Sequence, residues 1–94
     1  MSRRKKEIRR KFRESVFERD GWRCRKCSKE WEELDPLDAH HIVDRNEMPN
    51  GGYILSNGIS LCEPCHYKAE KWHQTEGKEW VEGFHPNELK ELIK

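Results

Sequence analysis

The sequence is poor in apolar residues and has no long hydrophobic run. Only 33% of its 94 residues are hydrophobic, whereas 39% are charged. No segment approaches the roughly 20 consecutive apolar residues that cross a bilayer, and the start, MSRRKKEIRRKFRE, lacks the apolar stretch of a signal peptide. These absences argue against a membrane protein and against a secreted one. We therefore expect a soluble protein that stays in the cytoplasm.

The shortage of apolar residues also limits the hydrophobic core. A chain of 94 residues is within the size of one domain and too short for two ordinary ones. A domain this small leaves a large share of its surface in water. We expect a single domain, residues 1–94, that is held together by something besides apolar packing.

Four cysteines are the candidates for that additional support. They form two pairs with two residues between the cysteines, CRKC (Cys24 and Cys27) and CEPC (Cys62 and Cys65). Two such knuckles are typical of a tetrahedral Zn²⁺ site, and a reducing compartment disfavours disulfides. We predict a structural zinc site, which contributes folding energy directly. The alternatives, a disulfide pair or four unrelated buried thiols, have no support in the sequence.

Positive charge is concentrated at one end of the chain. Residues 1–29 contain 13 Lys and Arg residues and four acidic ones, a balance of +9, whereas residues 30–94 have a balance of −8. A polycationic segment attracts nucleic acid by releasing the counterions of the phosphate backbone. Charge alone does not separate this interpretation from a solvated basic helix that only aids solubility.

Apolar periodicity and turn residues predict a mixture of helices and short strands. In the first helix, Ile8, Phe12 and Val16 recur every fourth residue, and Gly21 marks its end. A loop rich in Gly, Pro and Asn separates two strands, and Pro64 is tolerated in the first turn of the helix that follows. The predicted helices span residues 7–19, 63–76 and about 87–93, and the predicted strands span residues 37–43 and 54–61.

The histidines suggest a second metal site. His40 and His41 are adjacent in the first predicted strand, where neighbours point to opposite faces. His66, Glu70 and His73 share one face of the second predicted helix, separate from the cysteine before them. Two histidines and a glutamate suit a catalytic metal. The alternative, that His66 is a spare or competing zinc ligand, conflicts with an ion already held by four thiolates.

Three segments, DAHHIV, SNGISLC and CEPCH, occur in the order found in the HNH endonucleases. The chain resembles the subgroup whose ββα-metal active site is stapled by two CxxC zinc knuckles. The preceding VFERDGWRCRKC is also similar, so the resemblance extends from Arg13 to Trp72. It implies a small α+β domain of the ββα-metal type with flanking helices. Its expected parts are a basic helical extension (1–20), a zinc-stapled core (21–76) and a C-terminal helical tail (77–94).

The resemblance also implies roles for the histidines. His41 corresponds to the general base that takes a proton from the attacking water. His40 corresponds to one ligand of the catalytic divalent metal, and His66 to the second. Imidazole ligands suit Mn²⁺, Ni²⁺, Co²⁺ or Zn²⁺, although Mg²⁺ could act with water and phosphate oxygens. We expect the strand to end or bend at His40 and His41, so that one ring reaches the metal and the other reaches the water.

The asparagine of the family corresponds to Asn57, five residues before the second knuckle. In that role its side-chain amide orients the loop and fixes the base by a hydrogen bond. Asn46 and Asn50, in the same loop, are alternatives for this role. Asn57 beside Gly58 could equally be an ordinary turn residue.

Three further residues are candidates near the metal. Asp38, on the same strand face as His40, could ligate the metal, hydrogen-bond a ligand imidazole or be exposed. Glu70 could complete the metal shell, and His73 could approach the phosphate, unless both lie on a solvated helix face.

The resemblance gives the basic start of the chain a purpose. Arg9, Arg10 and Arg13 are expected to bind DNA by tracking phosphates without reading bases. The expected function is metal-dependent hydrolysis of DNA, leaving 5′-phosphate and 3′-hydroxyl ends, in a bacterial or phage-infected cell. HNH proteins of this size resemble those of phages and mobile elements, some of which assist a terminase. The alternative is a non-catalytic zinc module that binds nucleic acid or protein, in which His41 has no role.

Overall fold

Three helices and a two-stranded antiparallel sheet form the fold in a computed structural model, which describes residues 3–94. The predicted α+β class is confirmed. Met1 and Ser2, at the start of the predicted basic extension, lie outside the described residues. Within the described part, no helix is both long and apolar enough to span a membrane. The helices are α1 (Arg3–Arg19), α2 (Glu63–Gln74) and α3 (Pro86–Leu92), and the strands are β1 (Asp38–His41) and β2 (Gly58–Leu61).

The two strands form a hairpin that α2 follows directly, which is the ββα order expected from the sequence. His40 is opposite Ile59, and His41 is opposite Gly58. Both strands are shorter than predicted, because the connection between them is not extended. It contains short 3-10 turns, the last of which, Leu55–Asn57, immediately precedes β2. The first strand ends at His41, as the expected roles of the two histidines require.

The first helix packs across the hairpin through one apolar face. Phe12 and Val16 are buried, whereas Ile8, which shares their periodicity, is 43% exposed. Gly58 in β2 permits this close approach, because a Cβ atom there would lie only 2.4 Å from Cγ2 of Val16. The helix begins four residues earlier than predicted, since Arg and Lys are good helix formers.

Asp20, directly after α1, ties this helix to the sheet. Its Oδ2 accepts a hydrogen bond of 2.9 Å from the backbone N–H of Ser60 in β2. The guanidinium of Arg19 donates to both carboxylate oxygens, at 2.8 and 2.9 Å. The buried charge is therefore paired with Arg19, and Nε of Arg25 lies 3.7 Å from the same carboxylate. The sequence indicated only a helix end here, because the anchor depends on a residue 40 positions away.

The hydrophobic core lies between the sheet, α2 and α3. Ile42, Ile59, Leu61 and Leu89 are at most 1% exposed, and Ala69 of α2 packs among them. Three of the four cysteines are buried in the same cluster. The small apolar core therefore continues directly into the cysteine cluster.

Candidate active site and zinc site

The four cysteines come together where the first knuckle meets the start of α2. Cys24 and Cys27 belong to the knuckle, Cys62 caps α2, and Cys65 lies in its first turn. Their Sγ atoms all lie within 4.8 Å of one another, and those of Cys27 and Cys62 are 3.4 Å apart. Four thiolates at this spacing can surround one tetrahedral ion. The predicted pairing of the two knuckles agrees with this geometry.

The surroundings of these thiols favour a bound cation. Burial raises the pKa of Cys24, but the backbone N–H groups of Cys27, Cys62 and Lys26 lower it overall to about 7. Burial and the neighbouring thiols raise the pKa of Cys65. Four thiolates so close together repel one another unless a cation lies between them. The donor set is that of a structural Zn²⁺ site.

His40 is buried near the end of β1, where it faces α2. Burial lowers its pKa, so the imidazole is neutral at neutral pH. Its Nδ1 lies 3.3 Å from Oε1 of Glu70, yet it has no hydrogen-bond partner among the described residues. A buried polar atom without a partner costs free energy unless a ligand satisfies it. This nitrogen is therefore a candidate metal ligand.

The second helix presents three more donors around His40. Nε2 of His66 lies 3.1 Å from Oε1 of Glu70, the same oxygen that approaches His40. The ligand atoms of His40, Glu70 and His73 lie within 4.8 Å of one another. The hydrogen bond with Glu70 raises the pKa of His66, and the imidazoles of His40 and His66 hold the pKa of Glu70 well below its usual range. Glu70 and His73, which the sequence marked only as further candidates, thus form the tightest group of donor atoms with His40.

Two contacts orient imidazole rings beside this group. Oδ2 of Asp38 lies 3.3 Å from Nδ1 of His66. Of the three roles left open for Asp38, this contact fits a carboxylate that orients the imidazole of His66. Nε2 of His73 lies 2.8 Å from the backbone oxygen of His41. An imidazole that donates from Nε2 presents Nδ1 as its acceptor, so this bond leaves Nδ1 of a neutral His73 as the nitrogen able to bind a cation.

His41 lies on the opposite face of β1, towards α1. Its ring stacks on Phe12, with the centroids 4.6 Å apart, and meets the ring of Tyr53 edge-on at 5.0 Å. Burial, and then the neighbouring charges of His40 and Arg45, lower its pKa. Its Nε2 is buried and has no hydrogen-bond partner within residues 3–94. The ring is thus held in place by its aromatic neighbours, its pKa is lowered, and no described residue hydrogen-bonds its Nε2.

A single cleft of about 440 Å³ joins the two histidines. Both His40 and His41 line it, together with His66, Glu70 and His73. A base candidate and a metal-binding group therefore face the same space, although they belong to opposite faces of one strand.

The sequence model of the HNH endonuclease family matches residues 24–71. This match covers more than half of the chain, including both cysteine pairs, both strands and most of α2. The chain belongs to the HNH endonuclease family. Searches of curated proteins and of solved structures found no match. Membership implies a nuclease-type function, a nucleic-acid substrate and the use of a divalent metal.

Asn57, the expected asparagine of the HNH motif, orders the loop but does not bind the base. Its Oδ1 accepts a hydrogen bond of 2.9 Å from the N–H of Val43, and its Nδ2 donates to the carbonyls of Val43 and Gly52 at 3.1 and 3.2 Å. Both amide protons are therefore used, and the predicted hydrogen bond to His41 is not formed. The Asn57 amide binds these carbonyls because backbone carbonyls of a turn need a hydrogen-bond donor more than a neutral imidazole does.

The predicted DNA-binding arginines of this HNH domain separate into two groups. Arg9 and Arg13 line a groove beside His41. The guanidinium of Arg10 instead lies 3.0 Å from Glu7 and 3.8 Å from Glu14, along the surface of α1. A role of Arg10 in DNA binding stays a prediction.

Two residues that the sequence did not single out, Arg45 and Tyr53, line the same groove. Both belong to the loop between the HH pair and the Asn of the HNH motif. The sequence feature that could have identified them is a basic and an aromatic residue inside this loop. Their proximity to α1 depends on how the loop folds back, which local spacing does not reveal.

Proposed function

We propose that this protein is an endonuclease that hydrolyses DNA, with His41 as the general base and a divalent metal held at His40. The observation that carries the proposal is the cleft of about 440 Å³ that both histidines line. A phosphodiester in this cleft lies within reach of the metal-binding group and of the base at once. Holding reacting groups together in this way is a large part of catalysis.

The residues around His40 fit a divalent metal. His40 offers a buried nitrogen without a hydrogen-bond partner, Glu70 offers a carboxylate, and His66 and His73 flank that carboxylate. This donor set suits Mn²⁺, Ni²⁺, Co²⁺ or Zn²⁺, and Mg²⁺ can act through the carboxylate and phosphate oxygens. When bound, such an ion neutralises charge on the phosphate and on the leaving oxygen.

His41 is suited to activate the attacking water. Phe12 and Tyr53 hold its ring, and a lowered pKa keeps it in the form that accepts a proton. As the water oxygen bonds to phosphorus, one water proton passes to the imidazole and the bond from phosphorus to the 3′ oxygen breaks. The 3′ oxygen takes a proton from solvent. The products are 5′-phosphate and 3′-hydroxyl ends, and the imidazolium then releases its proton.

Basic side chains on the His41 side of the cleft support DNA as the substrate. Arg9 and Arg13 of α1 and Arg45 of the loop surround this side. Contacts of this kind bind phosphates and position a duplex without reading its sequence, so we infer low sequence specificity. From its resemblance to small HNH proteins of phages and mobile elements, we propose that it acts on DNA in the cytoplasm of a bacterial or phage-infected cell. Some of those proteins assist a terminase, which is the partner we propose.

Incubation of supercoiled plasmid with the zinc-loaded protein tests this function. We expect nicked or linear plasmid with at least one of Mn²⁺, Mg²⁺, Ni²⁺ and Zn²⁺ and intact plasmid without added metal. New 5′ ends should accept radioactive phosphate only after phosphatase treatment. The His40→Ala variant, checked for unchanged circular dichroism and zinc content, should be inactive. Plasmid that is bound but stays intact with every metal would contradict the proposal and favour a non-catalytic zinc module.

A further inference from the structure

Tyr53 connects two arginines from different parts of the chain. Its hydroxyl oxygen accepts hydrogen bonds of 3.2 Å from Nε of Arg9, in α1, and of 3.2 Å from Nη1 of Arg45, in the loop after β1. Burial raises the pKa of Tyr53, but these two guanidinium groups lower it overall. A single hydroxyl oxygen thus holds two guanidinium groups together.

The same tyrosine also touches the proposed base. Its ring meets the rings of His41 and Phe12 edge-on, with centroid distances of 5.0 and 5.6 Å. Tyr53 therefore fixes the distance between the pair of arginines and His41. Arg9 lies on the α1 side of His41, and the proposed metal ligands lie on the α2 side. Arg45 lines both the groove beside His41 and the cleft that contains the proposed ligands.

The electrostatics of this pair favour a phosphate. Two guanidinium groups held on one hydroxyl oxygen bring N–H donors of both close together, and a phosphate placed against them can accept hydrogen bonds from both. An arginine can bind a phosphate through two N–H groups at once, which a lysine cannot do. A groove of about 380 Å³, lined by Arg9, Arg45 and Tyr53 with Lys5 and Asn50, gives room for such a ligand.

We propose that Tyr53 is a positioning residue whose hydroxyl holds Arg9 and Arg45 as a clamp for a backbone phosphate next to the one that is cut. The ligand class is the phosphodiester backbone of a nucleic acid. The inference rests on the proposed function, since it takes the scissile phosphate to lie beside His41. In this proposal, the hydroxyl of Tyr53 orders the clamp and its ring supports the base.

Tyr53→Phe separates these two parts, because it removes the hydroxyl and keeps the ring. We expect the KM for cleavage of a short DNA duplex to rise about fivefold to tenfold, with kcat changed less than twofold. Arg9→Ala and Arg45→Ala should raise KM at least as much. Tyr53→Leu, which also lacks the ring, should lower kcat as well.

Two matched controls accompany these variants. Tyr67→Phe removes the hydroxyl of a tyrosine on α2 that is 76% exposed, and it should leave KM unchanged. Arg10→Ala removes the same charge as Arg9→Ala from the neighbouring position of α1. Because Arg10 pairs with Glu7 and Glu14, we expect a smaller rise in KM than for Arg9→Ala.

Binding of a fluorescein-labelled duplex to the zinc-loaded protein, without catalytic metal, distinguishes the two proposals. If the protein binds the duplex but never cleaves DNA, the nuclease proposal fails, and a weaker affinity of Tyr53→Phe still supports the clamp. If the parent cleaves and Tyr53→Phe has the parental KM, the clamp alone is refuted. A lower melting temperature with an unchanged KM would also refute it, since the bonds would then only join the loop to α1. If Arg9→Ala and Arg10→Ala weaken binding of the duplex equally, the effect is one of positive charge in general, and the clamp is refuted.

Discussion

At the scale of single residues, the site depends on two neighbours in β1 that face different helices. His40 lies under α2 with Glu70, and His41 stacks on Phe12 of α1. Side chains alternate along a strand, so the two adjacent histidines face different helices. In the proposed mechanism, one binds the metal and the other acts as the base. The strand must also end there, so that one cleft reaches both rings.

Asn57 is the residue whose role the structure changes most, and a single substitution tests the change. Asn57→Asp keeps the acceptor of the N–H of Val43 but loses both donors and brings a carboxylate against two carbonyl oxygens. We expect the free energy of unfolding to fall by about 2 to 3 kcal/mol, measured by urea denaturation of the zinc-loaded protein. Asn50→Asp, at an exposed position of the same loop, should change it by less than about 0.5 kcal/mol. An Asn57→Asp protein as stable as the parent, with slower cleavage, would restore a direct action of Asn57 on the base.

At the scale of elements, two faces of α2 carry the two candidate metal-binding groups. Cys65 and Ala69 are buried against the zinc site and the core, whereas His66, Glu70 and His73 face β1. A helix of 12 residues is stable in this setting because its buried face packs in the core and its N-cap and first turn carry two of the four cysteines of the zinc site. In the proposed mechanism, a zinc ion at the cysteines would thereby position the side chains that we propose as ligands of the second metal.

The histidines of this face should control affinity for the second metal without controlling the fold. We expect His66→Ala and His73→Ala to remain folded and zinc-loaded, and to raise the Kd for Mn²⁺ at least about tenfold, as loss of a ligand or of its supporting partner does. Isothermal titration with Mn²⁺ measures this. Lys71→Ala, at an exposed position of the same helix, is the matched control. If both histidine variants bind Mn²⁺ like the control, α2 holds no second metal.

At the scale of the whole molecule, the cysteine cluster compensates for a small core. It joins the first knuckle to α2 and continues the apolar cluster formed by residues such as Ile59 and Leu61. Zinc binding contributes on the order of 10 kcal/mol in small domains, which is comparable to the whole stability of a domain of this size.

Loss of one thiolate should therefore unfold the chain. We expect Cys62→Ser to lose its zinc and its cooperative thermal transition, seen by atomic absorption and far-UV circular dichroism. Removal of zinc from the parent by a chelator should have the same effect. A folded Cys62→Ser protein with normal zinc content would contradict the structural zinc site.

The features predicted from the sequence are those encoded by short spacing. The CxxC pairs, the HH pair and the stripe from His66 to His73 are local patterns, and the fold places them as their spacing indicates. The hydrogen bond between Asp20 and Ser60 and the one from Arg9 to Tyr53 join residues 40 and 44 positions apart. Such contacts follow from how helices and loops pack, which single-chain periodicity does not specify. The strands are shorter than predicted for the same reason, because residues that look strand-like in isolation belong to the folded loop between β1 and β2.

Single-turnover cleavage of supercoiled plasmid by His41→Ala tests the central claim most directly. The variant should keep the circular dichroism, the zinc content and the Mn²⁺ affinity of the parent, since His41 lies on the face of β1 away from the metal ligands. We expect its cleavage rate in Mn²⁺ to fall at least about 100-fold, the usual effect of removing a general base. A folded His41→Ala protein that cuts plasmid at the parental rate would show that His41 is not the base.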